Sequence, residues 1–597
     1  MSVDRFTPDV LTGGRVWWLL DITYAGQTYR LSDREGDVVD AAGNAYHYAG
    51  TIETIDVEEG LEFLQDASAS PTSASIAAVM PFDVPLMVAR GHDLAGATGT
   101  LSRWVEGTTL ESRRTLIAGQ VVDPEYGAAD EPASFSLELT PWEDSRTIPA
   151  PGLAVIGPNW DTSMIASLPA SGVGLPYPIV IGRPGQVSSA LWSSGIITGS
   201  EGVYVDQRRT SFTSQLENIS LIIAGHHVTA ESVHLKTATD TTFHRYRVSN
   251  AYDRGGHPVA VATWWYTKSP ASTDVFDYDG GASYTFNDPT TLPIGCLGHN
   301  GAPASIQPSL GAEPVGTYVG WVDDDNPTYG GLRAVDGTAM RAAGDVLEWL
   351  LVQAGKDVDL GRFAAVRPLL SRFLLDFTID AEVTPWEYAR AHLLPILPVS
   401  IVSGPSGLFP IVWRFDATEA DAIVHIDTAD DPQIQRASMV TYDRSTIRND
   451  ISLHYAYAVR TGRYLGTLRY SADSTDGAIP NLVCNLSQRR YLQPNGKPVV
   501  SGHVIESPCI YADSTAHAVL QWMCRAYAFA RRRVEYVLPE TDYGWLERGQ
   551  VVTLTDSELH FDRVVALVEG MKTDGSPMVR FRFLLIEQPT RDARLIP

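Results

Sequence analysis

The chain is poor in cysteine, short of basic residues and without a long hydrophobic run. Its cysteines, Cys296, Cys484, Cys509 and Cys524, number 4 in 597 residues and form no C-x-x-C pair. Zinc and iron–sulfur sites draw their ligands in close pairs, so the spacing argues against both. Cys524 falls on the apolar face of a predicted helix, and the cysteines read as buried free thiols. Lysine and arginine number 45 against 71 aspartates and glutamates, a net charge of −26. Gripping nucleic acid or an anionic membrane needs a basic footprint, so the charge argues against both. An acidic wall beside DNA repels the polymer and lets it slide past, and acidity also keeps a large particle soluble. The most apolar stretch, Leu393 to Val402, is broken by Pro395 and Pro398 and is far shorter than the roughly 20 residues of a membrane helix. The opening MSVDRFTPDV has no basic or apolar leader region, which predicts no signal peptide. Also missing are the G-x-S-x-G elbow, H-E-x-x-H, a Walker loop and G-x-G-x-x-G.

What is present points to β structure. Gly (50) and Pro (37) are abundant, charged residues are only 19%, and hydrophobic residues at 44% suffice for real cores. This mixture suits many short strands joined by turns, in three to five domains at about 100–200 residues each. VWWLLDITYAGQTYRL (16–31) predicts two strands meeting at Ala25-Gly26, and a second hairpin flanks Ala41 to Asn44. Phe135-Ser136-Leu137-Glu138-Leu139 alternates as a half-buried strand does. Pro149-Ala150-Pro151-Gly152 reads as a linker closing a domain of residues 1–150. Residues 151–330 read as a second, inserted β domain, strongest at 221–235 and Trp264-Trp265-Tyr266. In 331–430 the texture turns helical. Met340, Ala343, Leu347, Leu350, Leu351 and Ala354 fall at helical spacing before Gly355. Thr384-Pro385-Trp386-Glu387 predicts a capping box and a helix to about Leu394, followed by the strands VSIV and LFPIVWRF. The region 431–597 is expected to hold strands at Ile451–Tyr457, a turn at Pro494–Lys497 and one long helix from Ser514 to Arg533. In that reading Arg531, Arg532 and Arg533 sit at the negative end of the helix dipole. The fold class expected is mainly β with some α, a multi-domain α+β chain with its short helical segments in the C-terminal half.

Several clusters invite a chemical reading. Asp274, Asp277 and Asp279, beside Phe276 and Tyr278, suggest paired carboxylates for glycoside hydrolysis, but read better as a solvated loop. Asp323-Asp324-Asp325-Asn326 clusters oxygens as a Ca²⁺ site does, yet lacks the glycine and distal glutamate of a calcium loop, and reads as an acidic turn. His226, His227 and His234 lie on or near one strand and read as ordinary histidines. Trp264-Trp265-Tyr266 suits sugar stacking, and equally core packing or a subunit contact. Arg531–Arg533 are poor DNA contacts in so acidic a chain. No residue is assigned as catalytic, cofactor-binding or metal-binding, and no cofactor is called for. The chain is not expected to be an enzyme; the alternative of another class is a carbohydrate-binding or carbohydrate-active β protein.

The order of three further features carries a resemblance. Trp545-Leu546-Glu547-Arg548-Gly549-Gln550-Val551-Val552-Thr553-Leu554-Thr555-Asp556 follows a long helix and EYVLPE. This resembles the closing segment of bacteriophage tail hub proteins, a "leucine–x–proline–glycine–aspartate–valine–valine" turn, with Arg548-Gly549-Gln550 where the family has Pro-Gly-Asp. TPWEYARAHLLPIL with its glycine-turned hairpin, and the "asparagine–x–isoleucine" strand Asn449-Asp450-Ile451, resemble the middle of such hubs. TLIAGQVVDPEY resembles their N-terminal tail-tip domains. The resemblance spans about half the chain. It implies β-barrel domains at both ends, a projecting inserted domain, and a homotrimer whose six barrels adapt a six-fold tail tube to a three-fold tip. It also implies contacts with the distal tail protein, the tape-measure protein and a central fibre or tip protein, with DNA passing through the lumen during ejection. Such a virion protein sits at the tail tip or baseplate, is made in the host cytoplasm and binds no membrane.

Overall fold

The N-terminal hairpin forms where its turn chemistry places it. In the computed structural model, Val16–Tyr24 runs back along Gln27–Ser32 through Ala25-Gly26, whose φ angles of 50° and 80° suit a tight hairpin. The described residues are 15–60, 72–126, 131–138, 148, 179–181, 340–379, 381–404, 407–458, 463–474, 477–574 and 576–587, together with the backbone strands Asp206–Arg209, Leu216–Ala224, His234–Thr237, Arg247–Tyr252, Pro258–Thr267 and Pro314–Thr317. The second expected hairpin pairs Gly36–Val39 with Ala45–Gly50. Its turn is closed by the Asp40 carboxylate, which accepts the backbone N–H groups of Ala42 and Asn44 at 2.9 and 2.8 Å. Strand periodicity then sorts the side chains. Trp18, Leu20 and Ile22 enter a core with Leu31, Leu101, Ile117, Phe135 and Leu137. Trp17 and Leu19 face the other way, against Val38, Tyr48 and Trp104. The VWWLL run is continuous because its strand is buried on both faces.

Near the C-terminus Arg531–Pro539, Met578–Leu585, Phe561–Thr573 and Val551–Asp556 pair antiparallel in that order, around Val534, Tyr536, Leu538, Phe581 and Phe583. The far end of Phe561–Thr573 also pairs with Ile52–Gly60, from Gly570 opposite Gly60 to Thr573 opposite Val57. This one ladder fuses the two β units into a 16-stranded sheet. Its hydrogen-bonded path ends at Gly36–Val39 on one side and Gln435–Arg436 on the other, so no closed barrel is present among the described residues.

A third body of structure packs against the C-terminal unit, with Val551, Val565, Leu567 and Leu584 in its core. Helices Ala343–Gln353, Leu360–Leu370 and Asp513–Tyr527, the hairpin Val399–Gly404/Gly407–Val412 and strands Asp450–Ala458 and Arg463–Ser471 share its core. The stripe predicted for the first of these helices is buried throughout, and Gly355, at φ 73°, ends it. Asn449 is fully buried: its amide donates to Ser487 Oγ and the Val499 carbonyl, and its Oδ1 accepts from Ser501 N–H. Ile179–Ile181 pairs with Phe377–Ile379, so the chain returns to this body on both sides of the 206–317 strands. Among the described residues no helix is long and apolar enough to cross a membrane.

Two helix expectations are corrected. The long helix stops at Tyr527, and Arg531–Arg533 open the strand Arg531–Pro539. From Arg531 onward, Val534, Tyr536 and Leu538 alternate, and ladders on both sides of the strand outweigh helical continuation. At Pro385 a helix does begin, but the Thr384 side chain makes no capping bond and Glu387 pairs instead with Arg390 at 2.7 Å. The α-helix ends at Tyr388; a wide π turn at Ala389–Leu393 and a 3-10 turn at Leu394–Ile396 follow. Pro395 lacks the N–H that would continue the α register and clashes with the preceding turn. Helix Leu482–Arg490, capped by Asn481, was not foreseen.

Gly549 sits at φ 80°, and a Cβ there would lie 2.2 Å from Ile411 Cγ2. Gly549→Ala is therefore expected to destabilise the fold by more than the about 1–2 kcal/mol of the left-handed backbone alone, read from thermal melts. The double variant Gly549→Ala/Ile411→Ala should be less destabilised than the sum of the two single changes, read in the same melts.

Candidate functional site: an acidic groove at the junction of two β units

Beside the junction, four strands present a polar outer face. Cross-strand pairing sets Asp56, Ser75, Ser136 and Val122 in one row, and Thr54, Ala77, Ser134 and Glu125 in the next. The alternate residues Ile55, Val57, Ile76, Phe135 and Val121 point into the core, so the outer face carries mostly small side chains. A β-bulge between Val122 and Glu125, with Asp123 at φ 47°, turns two carboxylates outward. Asp574 enters from the C-terminal unit, and the depression so formed has a volume of about 450 Å³. Hydrogen bonds from Ser576 hold the Asp574 carboxyl below its usual value. Asp56, Asp123, Glu125 and Asp574 line the depression together with Thr54, Ser75, Ala77, Ser134 and Ser136, and Asp56 is paired with Lys572.

Two very different ion pairs join the N-terminal and C-terminal units. Lys572 Nζ reaches Asp56 Oδ2 across the junction at 2.6 Å, with both side chains almost half exposed. Arg103 pairs with Glu540 almost wholly out of water, with the guanidinium 4.7 Å from the Trp18 ring centroid. Arg114 adds a buried bond from Nη1 to the Gly544 carbonyl at 2.7 Å. The short helix Glu540–Tyr543 is thus held by two arginines of the N-terminal sheet.

A second electrostatic cluster lies between helices. Arg367 pairs with Asp345 at 2.7 Å and with Glu348, whose side chain is fully buried. Burial pushes the Glu348 carboxyl up to about 7; Arg367 opposes this and Asp345 adds to it. Its Oε1 has no hydrogen-bond partner, as suits a carboxyl that is readily protonated.

The structure brings the sequence-derived candidates together only in part. Trp264, Trp265 and Tyr266 lie on the strand Pro258–Thr267, opposite Ile219, Asn218 and Glu217, and His234 lies on a strand paired with Pro314–Thr317. Asp274, Asp277, Asp279, Asp323–Asn326, His226, His227 and Cys296 fall outside the described residues. Arg532 is paired with Glu587 at 2.9 Å, and Arg533 and Arg582 grip the buried Glu569 at 2.7 and 3.1 Å. Cys484, Cys509 and Cys524 are buried free thiols. Among the described residues no cluster of three or more His, Cys, Asp or Glu is arranged to hold a metal ion. The groove carboxylates were missed because they come from strands distant in sequence; only the Asp123-Pro124 break in an otherwise apolar strand hinted at the bulge.

Breaking the buried pair should matter far more than breaking the exposed one. Arg103→Ala is expected to cost about 3–5 kcal/mol, because Glu540 is left buried and uncompensated. Lys572→Ala should cost about 0–1 kcal/mol, both read from denaturant unfolding. Glu348 also sets a pH dependence. Its folded pKa lies above its unfolded value, so its contribution is complete below about pH 4.5 and is lost as pH rises through about 7. Glu348→Gln should flatten stability across that window, and an unchanged slope would exclude this carboxyl as its source.

No protein-family model matches the sequence, and no curated protein matches it. Among solved structures the chain is similar to the tail protein from Neisseria meningitidis MC58, with TM-score 0.34 and 8% identity over 96% of this chain and 97% of that one. It is similar to the 43 kDa tail protein of prophage MuSo2 from Shewanella oneidensis, with TM-score 0.33 and 10% identity over 96% and 97%. A prophage tail protein from Listeria monocytogenes EGD-e follows at TM-score 0.29 and 6% identity, over 94% and 98%. Similarity at this level leaves function to be argued from the chain's own residues.

Proposed function

We propose that the chain is a structural, non-enzymatic component of a bacteriophage tail tip. It acts as a hub that joins the tail tube and distal tail ring to a central fibre or tip protein and forms part of the DNA channel. The observation that carries this reading is the ladder between Phe561–Thr573 and Ile52–Gly60, which makes one sheet from two β units at opposite ends of the sequence. A subunit that contributes two units side by side lets three copies present six, which is what a three-fold tip needs to meet a six-fold tube. Among the described residues the two ends of the hydrogen-bonded path, Gly36–Val39 and Gln435–Arg436, are edges at which a neighbouring subunit can continue or cover the sheet. The hub-like order of Asn449-Asp450-Ile451 and Leu546–Val552 supports the same assignment, because Asn449 and Gly549 each hold a structural position that few other residues fill.

In this reading the acidic groove faces the lumen, where small side chains and carboxylates let DNA slide without adhering. The strands between 206 and 317 belong to a projecting domain within about 151–330. It leaves the helical body after Ile179–Ile181, and the chain is back in that body by Met340 and Ala343. The units at about 1–150 and 431–597 act as barrel-like ring builders, with 331–430 between them. Partners are further copies of the chain, the distal tail protein, the tape-measure protein and the central tip protein.

Electron microscopy of the purified full chain tests the assembly. The expected particle is a three-fold ring with an open channel, about 195 kDa for three chains of 65.0 kDa. Two-fold or filamentous assemblies would overturn the reading. Asp123→Lys and Glu125→Lys together should leave the ring intact but slow DNA release from particles carrying them, as basic residues in the wall hold the polymer.

A further inference from the structure

Cys484 and Cys524 are 40 residues apart in sequence, yet their sulfurs meet at 3.5 Å, and both residues are wholly shielded from solvent. Cys484 lies in the first turn of helix Leu482–Arg490, and its N–H is held by Asn481 Oδ1 at 3.1 Å. Cys524 lies in the last turn of helix Asp513–Tyr527, where its carbonyl accepts from Ala528 N–H at 2.9 Å. Both backbones are therefore fixed, and the sulfurs need to close about 1.5 Å, by side-chain rotation and small helix shifts, to reach the roughly 2.05 Å of a disulfide. Cys509 is engaged elsewhere, 3.6 Å from the Tyr388 hydroxyl.

We propose that Cys484 and Cys524 are a redox modification site, an internal disulfide that staples the two helices when the chain meets a disulfide oxidant of the glutathione type. One protein thiolate attacks a sulfur of oxidised glutathione and expels one glutathione thiolate. The second protein thiolate attacks the protein sulfur of that mixed disulfide and expels the other. Two protein thiols are oxidised to one S–S bond, the oxidant is reduced to two glutathione molecules, and the two thiol protons end on them. A reducing cytosol keeps the pair as dithiol, and an oxidising medium favours the staple. The staple removes freedom from the unfolded chain and so raises the unfolding temperature. The hydrogen bond with Cys484, then burial, pushes the Cys524 thiol well above its ordinary range. Thiolate is scarce and both sulfurs are buried, so the oxidant reaches them only when the helix contact opens locally; closure is slow at neutral pH and quickens as pH rises. None of this depends on the tail-tip assignment.

The test treats the full chain with oxidised glutathione at neutral and mildly alkaline pH, alkylates the remaining thiols, and maps unreduced peptides by mass spectrometry. The expected result is a linked peptide pair carrying Cys484 and Cys524, formed faster at the higher pH and opened by reductant, with Cys509 still alkylated. The oxidised chain should melt several degrees above the reduced one, a difference that vanishes in Cys484→Ser and in Cys524→Ala. If both cysteines stay reduced, or carry glutathione adducts without a linked peptide, the proposal is overturned. The wild-type map decides even where a variant fails to fold.

Discussion

The joining of the two terminal β units into one sheet rests on a short antiparallel ladder between residues 57–60 and 570–573. Without it there are two β units with open edges; with it there is one sheet. Backbone pairing of four residues is modest by itself, since each hydrogen bond nets about 0.5–1.5 kcal/mol against water. Buried side-chain contacts join the same two units elsewhere. Arg103, sandwiched between Trp18 and Glu540, is out of water, and Arg114 ties the same short helix at Gly544. Losing one partner of such a pair strands a buried charge, so the junction resists being opened one contact at a time.

The same economy governs the charges of the whole molecule. With 45 basic residues against 71 acidic, cations are the scarce species. Several partly exposed arginines each hold a shielded carboxylate: Arg341 with Asp376, Arg533 and Arg582 with Glu569, Arg490 and Arg532 with Glu587. Acidity is thereby left to the outside, including the carboxylates that line the groove. Fold and field are linked through these pairs, because the arginines that stabilise the junction are not available to neutralise its surface.

Local chemistry was legible in the sequence and long-range chemistry was not. Ala25-Gly26, the buried stripe of Ala343–Gln353, the Gly496 turn and the mainly β class follow from turn residues and periodicity. The end of the long helix did not, because the apolar stripe runs without a gap into residues that a sheet then claims on both sides. Thr384 has the residue types of a capping box, yet its side chain makes no cap, and Glu387 pairs with Arg390 rather than with the N-cap backbone. The groove, the Arg103–Glu540 pair and the Cys484–Cys524 contact each join segments that nothing in a single sequence marks as neighbours. Gly549 is the instructive intermediate: the glycine signalled a turn, but Ile411, the neighbour that forbids a larger residue, became visible only in the fold.

The most direct test of the account is hydrogen–deuterium exchange on the intact chain, resolved to the peptides that span residues 57–60 and 570–573. If the ladder binds the two units into one sheet, these amides exchange as slowly as those of Ala133–Glu138 within the N-terminal unit, and Arg103→Ala speeds both sides of the junction together. Fast, uncoupled exchange at the two segments in the wild-type chain would contradict it, leaving two separate β units and no continuous wall.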